Sequence, residues 1–128
     1  MRKLIPLFAA LLLIAGCAAP AQESGYRQVT AEEAIALMEK ESGYIILDVR
    51  TAQEYSEKHI PKAVNIPNES IGTEDLPALP DKNQLILVYC RSGRRSKNAA
   101  QILAELGYTN IREFGGIMSW PYETVAGE

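Results

Sequence analysis

The chain has 128 residues, 47% of them hydrophobic, and a formal net charge of −3. That length and apolar content suit one globular domain, with no internal repeat or low-complexity tract. The acidic balance argues against nucleic acid as a partner, because the clustered arginines sit on one loop rather than along a face.

The first sixteen residues read as a targeting segment. Arg2 and Lys3 form a positive n-region, and residues 4–14 form an apolar h-region of eleven residues. That run is too short for a membrane span, and Pro6 interrupts it. It ends in Leu13-Ile-Ala-Gly-Cys17, which resembles the lipobox of bacterial lipoproteins, where the cysteine is acylated and becomes the mature N-terminus. The resemblance implies a signal peptide over residues 1–16 and lipid on Cys17. It also implies a domain in the cell envelope, anchored at a membrane surface and facing the periplasm or the exterior. The alternative is an ordinary secretory signal cut near Ala19 or Ala21, with Cys17 discarded. Residues 17–25 carry the lipidated cysteine and a polar tether containing Pro20 and Gly25.

Residues 26–29 read as a first strand. Thr30-Ala-Glu-Glu33 matches a capping box and opens a helix with Ala31, Ala34, Ile35 and Met38 on one face; Ser42-Gly43 ends it. Residues 44–48 form a second, buried strand with Asp48 at its C-terminal end. Thr51-Ala-Gln-Glu54 is another capping box, for a short helix to about Lys58. Asp48 and Arg50 are then placed for an ion pair that braces neighbouring loops. His59, the single histidine, invites assignment as a general base. Residues 68–80, with breakers at Gly72, Pro77 and Pro80, form a connection with room for a short helix.

Five apolar residues, 85–89, read as a strand buried on both faces that delivers Cys90 at its end. A six-residue loop, Cys90 through Arg95, leads to Ser96 as N-cap of a helix with Ala99, Ile102, Leu103 and Leu106 on one side, closed by Gly107. Residues 108–113 form the last strand. Gly115-Gly116 turns sharply into residues 117–120, with Trp120 packing the core, and residues 121–128 form a loose tail. Strands alternating with helices point to a parallel sheet, whose functional loops gather beyond the C-terminal strand ends. Cys90 and Asp48 both fall at that edge.

A helix N-terminus leaves backbone N–H groups unpaired and partly positive, which stabilises a thiolate or oxyanion. Gly93 lets the loop take angles closed to other residues, and Arg91, Arg94 and Arg95 add positive charge. A cysteine so placed has a lowered pKa and is a nucleophile. With Cys17 acylated, Cys90 has no disulfide partner, and a free exported thiol suits a reactive role. The bland alternative is a buried structural cysteine beside a solvated basic loop.

The run Cys90-Arg-Ser-Gly-Arg-Arg-Ser96 resembles the active loop of rhodanese-type sulfurtransferases. Leu47-Asp-Val-Arg50, residues 55–67 (YSEKHIPKAVNIP) and Gly115-Gly-Ile-Met-Ser-Trp120 extend the likeness in the order of a single rhodanese domain, over residues 26–120. The resemblance implies an α/β, rhodanese-like fold: a parallel sheet of about five strands with helices on both faces. It makes Cys90 the catalytic nucleophile, Arg91, Ser92, Gly93, Arg94 and Arg95 the substrate-binding loop, and Asp48, Arg50 and Ser96 supporting residues. The Asp48–Arg50 pair is then structural, and His59 fixes a turn rather than acting as a base. Lys58 and Lys62 depart from the family pattern, standing where glycine is common and leaving that turn open to local change.

The implied reaction moves a sulfane sulfur from a small anionic donor such as thiosulfate to a thiol or cyanide acceptor, through a Cys90 persulfide. The chain is expected to be a monomer. No metal or organic cofactor is implied, since one histidine and one free cysteine make no ligand cluster. A sulfur-binding or redox-sensing lipoprotein of the same fold, without turnover, is the alternative. Some dual-specificity phosphatases and arsenate reductases have a related fold, but use a longer Cys-x5-Arg loop; the sixth residue after Cys90 is Ser96.

Overall fold

A computed structural model describes residues 25–73 and 75–127. Cys17 and the expected signal segment lie outside them. Among the described residues five strands and three α-helices follow in the order β1 (Arg27–Gln28), α1 (Ala31–Lys40), β2 (Ile45–Asp48), α2 (Ala52–Glu57), β3 (Val64–Asn65), β4 (Ile86–Cys90), α3 (Arg94–Glu105) and β5 (Ile111–Gly116). The strands form one parallel sheet in the order β1-β5-β4-β2-β3.

Both expected capping boxes are present. Thr30 caps α1 and Thr51 caps α2, each exchanging hydrogen bonds with the glutamate three residues on. The central strand β4 is buried at all five positions, as its unbroken apolar run requires. Successive residues of β4 feed two separate cores. Ile86, Val88 and Cys90 join Leu47, Ala99, Ala100 and Leu103 on the α3 face, closed over by Ile71 and Leu79 from the connecting segment. Leu87 and Tyr89 join Ala34 of α1, Ile46, Ile60 and Phe114 on the opposite face, with Tyr55 of α2 packed against them.

That division has a topological consequence. From β2 the chain moves outward to β3 through α2 on one face; from β4 it moves the other way to β5 through α3 on the other face. The order therefore reverses between neighbours β2 and β4, and the crevice outside their carboxyl ends is where such sheets hold their sites.

Four expectations are corrected. Helix α3 begins at Arg94 with Gly93 as N-cap, so Ser96 is not the cap but lies inside the first turn. At φ 110°, Gly93 makes the bend, and the helix amides face Cys90 sooner than a serine cap would allow. The last strand starts at Ile111 because the amides of Tyr108 and Thr109 bond Leu103 and Lys82 instead. It also runs on through Gly116 rather than turning at the glycine pair. Between Val88 and Cys90 the β4–β5 register slips, so that β5 carries one extra residue there. The tail is not loose: Val125 bridges His59 in both directions, at 2.7 Å and 2.8 Å, and the Gly127 N–H reaches the Ser56 carbonyl. Among the described residues the connecting segment holds a short 3-10 turn, Asn68–Ser70.

His59 is buried, with Nδ1 at 2.8 Å from the Tyr55 carbonyl and its ring stacked on Tyr55. Those contacts fix the turn. Lys62 takes φ 75°, the left-handed conformation that glycine adopts freely. Trp120 packs against the Phe114 cluster, its Nε1–H bonded to the Glu123 carbonyl.

Candidate active site

Strand β4 ends by carrying Cys90, 1% exposed, into the crevice, and the chain folds back over it. The Gly93 N–H points at Sγ from 3.0 Å. Burial pushes the thiol pKa up. Hydrogen bonding from the Ser96 hydroxyl and the N–H groups of Ser96, Gly93 and Ser92 outweighs it, so the net shift is downward. Ser96 stands in the first turn of α3, Gly93 is its cap and Ser92 precedes it, where amides lack helical partners. The expected anion site is thus built from these amides together with the Ser96 hydroxyl.

The three loop arginines have different surroundings. Arg91 and Arg94 are exposed. Arg91 lines a cavity of about 360 Å³ with Arg50, Glu54, Glu57, Lys58, Ile117 and Met118. Arg95 is turned to α2, where its two terminal nitrogens meet the two Glu54 oxygens at 2.8 Å and 3.0 Å. The Glu54 carboxyl is held at about 2 by Arg95, against the opposing effect of burial and with help from Thr51. Glu54 was legible in the sequence only as a capping residue; nothing there announced its second partner 41 residues on.

Asp48 and Arg50 form the expected pair, with Nε and the second guanidinium nitrogen on the carboxylate at 2.7–3.2 Å. Arg50 also donates to the Lys58 carbonyl, and Asp48 accepts the Tyr89 hydroxyl at 2.6 Å. That hydroxyl in turn accepts the Ile60 N–H. Burial first, and then the bond to Asp48, raises the Tyr89 pKa. Tyr89 was read only as core, yet it links the two strand ends of the crevice to the His59 turn. None of these groups touches Sγ; they hold the walls.

Close approach of two backbones completes the site. The Arg91 carbonyl accepts the Met118 N–H and lies so near Gly116 that a Cβ there would sit 1.9 Å from its oxygen. The second glycine of the pair is thus the floor on which the Cys90 loop rests. Among the described residues no cluster of His, Cys, Asp and Glu could hold a metal ion.

Comparison with known proteins agrees with this arrangement. Residues 30–122 match the family model of the rhodanese-like domain. The chain belongs to that family. It is 41% identical over 71 residues to the thiosulfate sulfurtransferase PspE of Escherichia coli (strain K12), covering 56% of this chain and 68% of PspE. It is 35% identical over 107 residues to the thiosulfate sulfurtransferase GlpE of Pseudomonas savastanoi pv. phaseolicola, covering 80% of this chain and 97% of GlpE. Among solved structures, an E. coli rhodanese with anions superposes with a TM-score of 0.61 at 36% identity, over 66% of this chain and all of that one. A rhodanese-like domain protein from Staphylococcus aureus gives 0.69 at 26% identity, covering 80% and 99%. The chain spans two thirds or more of these relatives, and the rhodanese fold expected from the sequence is the fold observed.

Proposed function

We propose that the protein is a rhodanese-type sulfurtransferase that works through Cys90. The Cys90 thiolate attacks the outer sulfur of thiosulfate; the sulfur–sulfur bond of the donor breaks and sulfite leaves with its electron pair. The result is a persulfide on Cys90, its terminal sulfur anionic. An acceptor thiolate, or cyanide, then attacks that sulfur, takes it, and returns Cys90 as thiolate. The observation that carries this reading is the set of N–H groups converging on Sγ at the start of α3, which stabilises an anionic sulfur without reorganisation. Arg91 and Arg94, exposed at the loop, supply the field that draws in the dianionic donor. The names of the relatives support the reaction class and thiosulfate as donor.

Cys90→Ser tests the reading. It should abolish thiosulfate-to-cyanide transfer, and transfer surviving the change would refute the mechanism. Mass measurement separates turnover from a sulfur-binding or redox-sensing role. After donor treatment Cys90 should be one sulfur atom heavier, and acceptor thiol should return it to its starting mass; a sulfenic acid alone would favour the sensor.

The location belongs to the same proposal. Lipid on Cys17 anchors a monomeric domain at a membrane surface of the cell envelope, on the strength of the Leu13-Ile-Ala-Gly-Cys17 run. Cys17→Ser should release the domain into the soluble fraction, and continued membrane association would count against the anchor.

A further inference from the structure

Glu113 takes no part in the mechanism above, yet its carboxylate lies beneath the loop that carries Cys90. It is 2% exposed, on β5 opposite Val88. Its Oε2 accepts the Ser96 hydroxyl at 2.5 Å and the Gly115 N–H at 3.0 Å. Among the described residues the ion pairs are Arg50–Asp48 and Arg95–Glu54; no lysine or arginine pairs with Glu113. A buried carboxylate without a cation survives only on its donors and on nearby dipoles. One side-chain donor, the Ser96 hydroxyl, comes from the first turn of α3, the same turn whose amides serve Cys90.

Ser96 stands between the two acids. Its hydroxyl assists the acidity of Cys90, and it also faces Glu113 and the Gly93 carbonyl, the latter at 3.0 Å. A hydroxyl has one proton. Glu113 and Sγ therefore share it, and what the carboxylate draws is lost to sulfur.

We propose that Glu113 is a positioning residue for Cys90: by drawing the Ser96 hydroxyl to itself it leaves less of that proton to Sγ and limits how strongly the anionic sulfur is stabilised. Carboxylate and thiolate compete for one hydroxyl at one helix N-terminus. Such a limit has a chemical use. A thiol whose pKa falls far below the ambient pH is fully ionised but a poorer nucleophile, so the best attacking group is one held near that pH. Other charges bear on the pair. Arg95 of α3 faces Cys90 but is neutralised by Glu54 of α2, Asp48 of β2 is neutralised by Arg50, and Tyr26, next to β1, faces Glu113 as a neutral phenol.

The proposal rests on Cys90 as the reactive group of the sulfurtransferase reading, but its test reads the thiol directly, whether or not sulfur is transferred. In Glu113→Gln the amide oxygen can still accept from Ser96 and Gly115, while the charge is gone. The Cys90 pKa, followed by thiolate absorbance and by alkylation rate against pH, should fall by about one unit, giving about tenfold more thiolate below the wild-type pKa. The acid limb of the sulfur-transfer pH profile should move the same way. A residue that merely braced the loop would loosen the amides when changed and raise that pKa, so an unchanged or raised value overturns the proposal. Should Glu113→Gln not fold, Glu113→Asp decides. Its shortened carboxylate releases the Ser96 hydroxyl to sulfur, so the Cys90 pKa should again fall, and an unchanged or raised value overturns the proposal.

Discussion

Arg95 and Glu54 lie bidentate across the crevice, joining the first turn of α3 on one face of the sheet to α2 on the other. The pair fixes the active loop from outside, as Ser96 and Glu113 fix it from beneath. It also removes one of the three loop arginines from the substrate's side.

The Glu54 pair should register in acid. Its carboxyl titrates at about 2 in the folded chain against 4.5 without partners, so its stabilisation is present above 4.5 and is lost as the pH falls towards 2. Both side chains are about one-quarter to one-third exposed, which limits the contribution to about 0.5–1 kcal/mol. Glu54→Gln keeps the capping box and drops the charge. Unfolding free energies from urea titration should differ by that amount at neutral pH and converge in acid; a difference that persists at low pH would place the effect in the cap instead.

Asp48 should matter more. Asp48→Asn leaves the Arg50 guanidinium, 4% exposed, without its counter-charge, and breaking a buried pair costs about 3–5 kcal/mol. Tyr89 keeps a side-chain oxygen to donate to, so the loss isolates the charge. Urea unfolding checks it, and a loss under about 1 kcal/mol would mean that the pair contributes little to the walls of the crevice.

How much of this was legible beforehand follows from the range of each interaction. The capping boxes, the buried strand and the Cys90 loop are set by residues within six positions of one another, and the sequence displays them directly. The helix start was misplaced because Ser96 looks like a cap, while Gly93, read only as a flexible point of the loop, takes that role through its backbone angle. Glu54–Arg95, Tyr89–Asp48 and Ser96–Glu113 join residues 17 to 41 positions apart, and only the order of the strands decides that they meet. The antiparallel bridge between Val125 and His59 escaped for the same reason.

Gly116→Ala should be far more damaging than its size suggests. The added carbon would lie 1.9 Å from the Arg91 carbonyl oxygen and 2.6 Å from the Ser92 Cα, backbone atoms that cannot rotate aside. Either β5 or the loop must shift, and overpacking of this kind costs about 1–3 kcal/mol. Since the loop amides help to lower the Cys90 pKa, a displaced loop should also raise it and slow alkylation at neutral pH. Gly116 has φ −132°, a conformation open to any residue, so the damage would come from the contact alone. If the variant alkylates at the wild-type rate, the contact between β5 and the loop does not hold the amides in place.

Aryl phosphates and arsenate should not turn over. Enzymes that transfer phosphate to a cysteine need an arginine that curls back on a tetrahedral oxyanion and grips it by two nitrogens. Here the sixth residue after Cys90 is Ser96, buried, with its hydroxyl on a carboxylate. Of the nearer arginines, Arg95 has both terminal nitrogens on Glu54, and Arg94 is exposed as the first residue of α3. A persulfide needs room for one more sulfur, and its charge meets the amides already aimed at Sγ. The same preparation should therefore show sulfur transfer and no phosphatase or arsenate reductase activity above the Cys90→Ser background. The reverse ranking, with phosphate hydrolysis lost in Cys90→Ser, would mean that Arg94 or Arg95 leaves its place to enter the loop, and the sulfur-transfer reading would fall with it.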